Sequence, residues 1–373
     1  MLQVIQYFSK NAPEVVDVPY PSESDDKIII KTSMSLISSG TEKMLVEFGK
    51  SNLVKKALDK PEKVKQVIEK TKTDGFLSTY QSIKGKLDEP IPLGYSNVGI
   101  VQFVGSKIKG FSIGDRVVSN GPHAEYISIS PHLCAVIPDK VSDEDAVFTV
   151  PSAIGLQGIR LANPTLGETF LVVGLGLIGL LTAELLKENG INVLGIDPDP
   201  KRTSLAESLG IKVLELNEYS DPVTWCQNNT NGIGVDGVLI TAATNSNEPI
   251  DVAAKSCRKR GRIVLVGVTG LNLNRDLFYK KEISFQVSCS YGPGRYDNEY
   301  EEKSHDYPIG FVRWTEERNF YAVLNILFRQ RMKPNYFITH RFNVENALDA
   351  YKLLTKSKNH LGILILYPNQ KKP

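Results

Sequence analysis

The run Phe170-Leu171-Val172-Val173-Gly174-Leu175-Gly176-Leu177-Ile178-Gly179 decides how this chain folds. An apolar strand leads directly into the pattern G-x-G-x-x-G, and a helical run, residues 180–188, follows it. The next predicted strand covers residues 191–197 and ends in Asp197. The glycines alone would be weak evidence. A strand, a glycine turn, a helix, a second strand and a terminal acid in this order indicate a dinucleotide-binding unit.

Each glycine of this turn has its own expected role. Gly174 allows a tight turn, Gly176 lets the backbone approach a pyrophosphate, and Gly179 lets the helix pack closely on the strand. Leu177 and Ile178 stand between the last two glycines, and we include them in the predicted cofactor site. The N-terminus of the helix offers N–H groups and a partial positive charge to the phosphates.

The acid at the end of the second strand predicts the type of cofactor. Asp197 can accept both hydroxyls of the adenosine ribose and would repel a 2′-phosphate, which favours NAD over NADP. Arg202 leaves the second cofactor open, because an arginine near this position could pair with a phosphate. The alternative without a cofactor is a glycine-rich turn inside an ordinary parallel sheet.

Length and composition set wide bounds. A chain of 373 residues predicts about two domains. The formal charge of +2 and the lack of a long basic block argue against a nucleic-acid tail, and the apolar runs are too short to span a membrane. The four cysteines are scattered and form no C-x-x-C pair, which argues against a disulfide framework or a structural zinc lobe. We expect a soluble, cytoplasmic protein.

The pattern of predicted elements changes twice along the chain. The first part is rich in predicted strands and is interrupted by a lysine-rich helical stretch, residues 51–84. From about residue 140, strands and helices alternate, as a doubly wound parallel sheet requires. After Ser290 a turn-rich aromatic segment precedes a long predicted helix, residues 316–330. A strand, a helix near 344–354 and a strand at 362–366 follow.

Several short motifs accompany the glycine turn, and with it they resemble the medium-chain dehydrogenase/reductase superfamily: Gly114-Asp115-Arg116-Val117, His123-Ala124-Glu125-Tyr126 and Ile338-Thr339-His340-Arg341-Phe342. The resemblance implies an α/β protein with a GroES-like β-rich catalytic domain, residues 1–140 and 315–373. It also implies a Rossmann doubly wound parallel-sheet domain, residues 141–314, that binds NAD. In that superfamily the active site is the cleft between the domains, and a homodimer is common.

The zinc-dependent members of the superfamily have ligands that this chain lacks. They carry Cys-Gly-Thr-Asp and Gly-His-Glu where this chain has Ser39-Gly40-Thr41-Glu42 and Gly94-Tyr95-Ser96, and by position their third ligand falls at Val150 or Pro151. Zinc needs thiolate, imidazole or carboxylate ligands in a tetrahedral set, which serine, tyrosine and valine cannot supply. The resemblance therefore predicts a zinc-independent member.

Two groups of zinc-less members resemble the chain more closely. The run Ser38-Ser39-Gly40-Thr41-Glu42-Lys43 is similar to bacteriochlorophyllide 3-hydroxyethyl dehydrogenases. A fuller resemblance, over residues 60–62, 74–76, 93–99, 290–297 and 306–314, is to the dehydrogenase half of bi-domain oxidoreductases linked to bacterial surface-polysaccharide synthesis. It implies a sugar or nucleotide-sugar substrate, and a Gfo/Idh/MocA-type half that is either absent or on a separate polypeptide that would be a partner.

The candidate catalytic residues flank the positions of the absent metal ligands. Without zinc, a hydrogen-bond donor or general acid must act on the substrate oxygen. We predict Tyr95 as this donor, Glu42 as base or orienting group, and Thr41 as the hydroxyl of a proton relay. Each has a structural alternative: Tyr95 as core packing, Glu42 as the support of a turn, and Thr41 as a helix cap.

Two further groups of residues complete the predicted site. By position in the superfamily, the nicotinamide end should meet Val268, Ser288 and Ser290. For the substrate we predict Tyr291, Arg295 and Tyr296, because an arginine between aromatic rings suits a phosphate or carboxylate next to a sugar ring. The alternative for this segment is a rigid packing loop or a subunit contact.

The leading hypothesis is a zinc-independent, NAD(H)-dependent oxidoreductase that acts on a polar alcohol or ketone, such as a sugar or nucleotide sugar. One alternative is an NADPH-dependent quinone- or enoyl-type reductase. Another is a nucleotide-binding subunit without turnover of its own.

Overall fold

The structure, a computed structural model, describes residues 1–7, 10, 12–38, 40, 42–43, 46, 90–357 and 360–368. The predicted helical stretch, residues 51–84, lies outside these described residues. The chain divides into two compact units. The first unit is Met1–Ile129 with Ile338–Pro373, and the second unit is Ser130–Phe337.

Both boundaries between the units differ from those expected from the sequence, which were 140/141 and 314/315. Helix Glu316–Phe328 belongs to the second unit, and its contacts explain why. Its Asn319 side chain accepts a hydrogen bond from Arg160 Nε at 2.7 Å and donates one to the carbonyl of Tyr291 at 2.9 Å. These bonds hold the helix in the second unit, so the chain returns to the first unit only after it.

The first unit is rich in strands, as the sequence predicted, and most of its strand pairs are antiparallel. Its strands are β1 (Leu2–Tyr7), β2 (Glu14–Asp17), β3 (Ile28–Ser38), β4 (Pro90–Pro92), β5 (Asn97–Val104), β6 (Arg116–Ser119), β7 (Tyr126–Ile129), β15 (Ile338–Asn343) and β16 (Gly362–Leu366). Strands β2-β1-β4 form one sheet, and β15-β16-β3-β5-β6 form another, with β7 also paired to β3. The β15–β16 pair is parallel.

Helix Ala347–Lys356 covers a buried cluster of the first unit. Val4, Ile37, Leu93 and Tyr351 are members of this cluster, so the first strands and the C-terminal segment share one core. Burial of this apolar surface supplies the main stabilising term of such a unit.

The second unit contains a six-stranded parallel sheet. Its strands are β9 (Thr169–Val173), β10 (Asn192–Asp197), β11 (Lys212–Glu215), β12 (Val235–Ile240), β13 (Cys257–Leu265) and β14 (Ser284–Val287), and a short strand β8 (Cys134–Val136) precedes them. The sheet order is β11-β10-β9-β12-β13-β14. The order reverses between β9 and β12, which is the switch point of a Rossmann fold, and ligands bind there beyond the carboxyl ends of the strands.

Helices connect the strands of the second unit, and most of the shorter ones begin with a polar cap. The helices are Asp143–Ala146, Thr149–Ala162, Leu177–Glu188, Pro200–Ser208, Pro222–Asn228, Glu248–Ser256, Arg275–Lys281, Asn298–Glu301 and Glu316–Phe328. Two of them start with proline after an aspartate, Asp199 or Asp221, whose carboxylate accepts a backbone N–H of the first turn.

The core of the second unit lies along its central strands. Leu171, Val173, Val238 and Ile240 are almost fully buried in β9 and β12, as expected of strands covered on both faces. Among the described residues, no helix is long and apolar enough to cross a membrane.

Candidate functional site

The glycine turn of the second unit has the geometry that its sequence predicted. Gly174 has a φ of +94°, and a Cβ added there would lie 2.8 Å from the Ala242 backbone. A Cβ on Gly179 would lie 1.9 Å from the carbonyl oxygen of Gly174. Both contacts are far too short for real atoms, so the fold itself requires glycine at these two positions.

Gly176 differs from its neighbours because the fold does not require it. A Cβ added there would meet only Arg202 Nη1, at 3.9 Å. Its φ of −68° and ψ of −174° suit any residue, and it caps helix Leu177–Glu188 without a side-chain hydrogen bond. The space above this helix N-terminus, where Leu177 and Ile178 begin the first turn, is therefore open. A helix start of this kind favours a phosphate group.

Asp197 connects the end of β10 to the glycine turn. Its side chain is 2% exposed, Oδ2 accepts from the backbone N–H of Leu175 at 2.7 Å, and Oδ1 accepts from that of Asp199 at 2.8 Å. A carboxylate oxygen can accept more than one hydrogen bond, so these two bonds leave acceptor capacity for ribose hydroxyls. They fix the carboxylate beside the turn.

Arg202 lies between two carboxylates. Its Nη1 is 3.6 Å from Asp197 Oδ2, and its Nε is 3.6 Å from Asp199 Oδ2. The sequence predicted Arg202 and Asp197 but missed Asp199. The signal was available, because an aspartate three residues before an arginine lies on the same side of a helix start.

The three residues predicted for the nicotinamide end follow β13 and β14. Val268 is 54% exposed, and its N–H donates to the carbonyl of Ala242 at 3.0 Å. Ser288 N–H donates to the carbonyl of Leu265 at 2.8 Å, while its buried Oγ has no hydrogen-bond partner among the described residues. Ser290 has a φ of 45°, which is unusual for a residue with a side chain. All three follow the carboxyl ends of these two strands.

The segment predicted to bind substrate is used largely for packing. Tyr291 is only 3% exposed and packs on Phe320, with ring centroids 5.5 Å apart. Arg295 donates from Nη1 to Glu301 Oε1 at 2.5 Å and lies over the Tyr296 ring at 4.1 Å. The buried ring of Tyr291 and the paired charge of Arg295 favour the alternative of a rigid packing loop. Tyr296 alone is largely exposed.

A buried chain of hydrogen bonds runs through the first unit. Tyr367 Oη lies 3.1 Å from Ser35 Oγ, which lies 2.7 Å from His123 Nδ1. His123 Nε2 lies 3.1 Å from Glu42 Oε2, and the Tyr351 hydroxyl donates to the same oxygen. All five side chains are buried. They connect strand β3 to the C-terminal helix and strand.

The same network defines the role that Glu42 can have. Its second oxygen, Oε1, accepts from the backbone N–H of Ser38 at 3.0 Å. Burial, followed by the charge of Glu42, raises the pKa of Tyr351 well above its usual range, so this phenol stays a neutral donor. Glu42 therefore supports a turn and orients its neighbours, and the expectation that it acts as a base on substrate does not fit a carboxylate held in this way.

The other predicted catalytic residues are Thr41, next to Glu42 in the sequence, and Tyr95. Thr41 lies outside the described residues. Tyr95 is half-buried, with a buried hydroxyl, and follows Gly94, whose φ is +93°. A Cβ added to Gly94 would lie 2.7 Å from the ring of His123, so the backbone beside Tyr95 packs directly on the buried network.

The side chains near these positions do not fit a catalytic zinc ion. Both ring nitrogens of His123 and both oxygens of Glu42 already have protein partners, and Tyr95 and Val150 offer no zinc ligand. In the described parts of the chain, no group of three or more His, Cys, Asp or Glu side chains is arranged to hold a metal ion.

Glu42→Ala is expected to lower the free energy of unfolding by about 3 kcal/mol. The change leaves the Ser38 N–H, His123 and the Tyr351 hydroxyl without their buried acceptor. Urea denaturation at pH 7 measures this loss of unfolding free energy. Tyr351→Phe is the milder comparison: it removes one donor, keeps the ring, and should cost about 1 kcal/mol. Equal small effects of both variants would contradict the role given to Glu42.

The chain is similar to known dehydrogenases. Residues 178–304 match the family described as zinc-binding dehydrogenase. The sorbitol dehydrogenase of Bacillus subtilis (strain 168) is 23% identical over 333 residues, or 80% of this chain and 85% of that protein. The D-guloside 3-dehydrogenase of Escherichia coli (strain K12) is 27% identical over 236 residues, or 61% of this chain and 63% of that protein. The structure of galactitol-1-phosphate dehydrogenase from Escherichia coli has a TM-score of 0.75 at 16% identity and covers 98% of this chain and 100% of that chain.

The matched family segment lies entirely within the second unit. It begins in the helix after the glycine turn and does not include Ser39, Tyr95 or Val150. The family match therefore concerns part of the second unit alone, whereas the similarity to galactitol-1-phosphate dehydrogenase is one of fold and covers 98% of this chain.

Proposed function

We propose that this chain is a medium-chain dehydrogenase/reductase that transfers hydride between NAD(H) and a polar alcohol or ketone without using zinc. The observation that supports it most directly is the open space over Gly176, at a helix N-terminus and beside the buried carboxylate of Asp197. An open turn of this kind suits a pyrophosphate, and a carboxylate suits the neighbouring ribose.

The charges around Arg202 support NAD rather than NADP. A 2′-phosphate would approach the carboxylate of Asp197, and the guanidinium that could attract it is already close to Asp197 and Asp199. The local charge of these three side chains is negative, which disfavours a further anion.

The names of the similar proteins guide the proposal for the substrate. Two are named for acting on a polyol or its phosphate, and one for acting on a sugar glycoside. We infer a hydroxyl-rich substrate, either a polyol, a sugar or a nucleotide sugar. A role in surface-polysaccharide synthesis, with a Gfo/Idh/MocA-type partner, and assembly as a homodimer remain proposals that rest on the sequence resemblance.

Hydride transfer needs a protein group that acts on the oxygen of the reacting carbon. The nicotinamide accepts or donates the hydride, while a protein donor must stabilise or protonate the oxygen of the reacting carbon. We propose the hydroxyl of Tyr95 for this role, with Thr41 as a second hydroxyl. Glu42 acts indirectly. It fixes His123, and the backbone of Gly94, next to Tyr95, packs on the His123 ring.

Equilibrium binding of NADH and NADPH to the purified protein tests the cofactor part. We expect NADH to bind at least about tenfold more tightly, which corresponds to about 1.4 kcal/mol. A preference for NADPH would favour a quinone- or enoyl-type reductase instead. Tight NADH binding without hydride exchange, over a panel of polyols, sugars and nucleotide sugars, would favour a nucleotide-binding subunit.

Elemental analysis of the same preparation tests the metal part. We expect no zinc in proportion to protein, and we expect turnover to survive dialysis against a chelator. One zinc per chain that is lost together with turnover would overturn the zinc-independent part of the proposal and leave the NAD part standing.

Tyr95→Phe is expected to lower kcat while the Kd for NADH stays unchanged, because the phenol would act on the substrate oxygen and not on the nucleotide. Tyr219→Phe, on an exposed side chain of the second unit, is the matched control and should change neither constant. If kcat of Tyr95→Phe equals that of the parent protein, Tyr95 is a packing residue and another group is the donor.

A further inference from the structure

We propose that Asp199 determines cofactor specificity by holding Arg202 away from the position of a 2′-phosphate. The inference rests on the proposed use of NAD(H). It adds a second residue, after Asp197, that favours NAD(H) over NADP(H). Asp197 would act on the cofactor directly. Asp199 acts through Arg202 and is therefore a positioning residue.

The geometry places one guanidinium between two acids. Arg202 is in the first turn of helix Pro200–Ser208, and its Nη1 and Nε are each 3.6 Å from a carboxylate oxygen, of Asp197 and of Asp199 respectively. The side chains of Arg202 and Asp199 are partly exposed, whereas that of Asp197 is buried. Solvent therefore reaches the contact between Arg202 and Asp199, whereas the carboxylate of Asp197 is shielded.

The guanidinium also lies at the edge of the glycine turn. A Cβ on Gly176 would be 3.9 Å from Arg202 Nη1, so the arginine borders the space proposed for the dinucleotide. An arginine that pairs with phosphate gains more than one that pairs with a neutral hydroxyl. If one of its two acids were neutral, Arg202 could turn toward a 2′-phosphate.

Asparagine is the suitable replacement because Asp199 has a second role. Its Oδ1 accepts from the backbone N–H of Lys201 at 3.0 Å and caps the helix. Asparagine caps helices about as well as aspartate, so Asp199→Asn removes the charge and retains the cap.

Asp221→Asn is the matched control. Asp221 also precedes a proline that begins a helix, and it accepts from the backbone N–H groups of Val223 and Thr224, each at 3.0 Å. No ion pair with Asp221 is found among the described side chains, so its variant tests the cost of the same chemical change without an arginine.

The experiment measures the Kd of NADH and NADPH for the parent protein, Asp199→Asn, Arg202→Ala, the double variant and Asp221→Asn. We expect Asp199→Asn to bind NADPH about tenfold more tightly and NADH within about twofold of the parent protein. The double variant should lose the gain, since the gain requires the freed guanidinium. Asp221→Asn should bind both cofactors like the parent protein.

The possible results separate this inference from the proposed function. NADPH binding unchanged in Asp199→Asn, or a gain that persists in the double variant, would overturn the role of Asp199 and leave NAD(H) use intact. A parent protein that binds neither nucleotide would overturn the proposed function, and with it the role of Asp199.

Discussion

Gly176→Val is expected to weaken NADH binding by about a thousandfold, or about 4 kcal/mol, while the fold stays intact. The backbone at Gly176 is in an extended conformation that valine adopts readily, and an added Cβ meets no protein atom closer than 3.9 Å. The valine methyl groups would occupy the space in which a pyrophosphate approaches the helix N-terminus, so the phosphates lose their backbone N–H partners.

The stability of the same variant provides the internal control. Valine is less favourable than glycine at a helix cap, so we expect the free energy of unfolding to fall by about 1 kcal/mol at most. Gly179→Ala should instead destabilise the fold itself. Its added Cβ would collide with the carbonyl oxygen of Gly174, so we expect the second unit to unfold. Equal NADH affinity for Gly176→Val and the parent protein would show that the dinucleotide does not bind at this turn.

The secondary structure around the three glycines could be predicted from the sequence. The pattern determined a strand, a turn and a helix, and the structure places β9 at Thr169–Val173 and the helix at Leu177–Glu188. The apolar run at residues 191–197 likewise predicted β10, which covers Asn192–Asp197, because strands covered on both faces form continuous apolar runs. Local signals of this kind need no knowledge of distant residues.

The buried network of the first unit could not be predicted in the same way. Glu42 and His123 are 81 residues apart in sequence, and Glu42 and Tyr351 are 309 apart. No periodicity connects residues at such distances. The sequence therefore presented Glu42 as an available carboxylate, although the fold gives both of its oxygens buried partners.

The loop predicted to bind substrate shows a related difficulty of reading function from sequence. An arginine between tyrosines suits an anionic sugar ligand, but it also suits an internal ion pair. Glu301, six residues after Arg295, supplies that pair in the structure. The composition of the segment is compatible with both uses, and the burial of Tyr291 and the pairing of Arg295 with Glu301 are what favour packing.

The second large prediction concerns Glu316, at the first position of helix Glu316–Phe328. Its side chain is 0% exposed, and neither carboxylate oxygen has a hydrogen-bond partner among the described residues. The nearby guanidinium of Arg295 donates to Glu301 instead. Burial, followed by the charge of Glu301, raises the pKa of Glu316 from 4.5 to about 9, and the nearby Arg295 only partly opposes this.

This shift determines how stability depends on pH. In the unfolded chain Glu316 loses its proton near pH 4.5, whereas in the folded protein it keeps the proton up to about pH 9. Folding therefore takes up a proton between these values, and the free energy of unfolding falls by about 1.4 kcal/mol for each pH unit within this window. Below pH 4.5 the group contributes no pH dependence, because it is protonated in both states.

Glu316→Gln is therefore expected to stabilise the protein on the alkaline side, by on the order of 4 kcal/mol at pH 8 and by little at pH 4.5. Glutamine has the shape of the protonated acid and carries no titrating proton. Urea denaturation of both proteins at one-unit steps from pH 5 to pH 9 measures the difference. Glu248→Gln, at the exposed first position of helix Glu248–Ser256, makes the same chemical change and should show no such rise. A constant difference across the pH range would mean that Glu316 is ionised in the folded protein, and its negative charge would then have to be balanced by Arg295 despite the bond to Glu301.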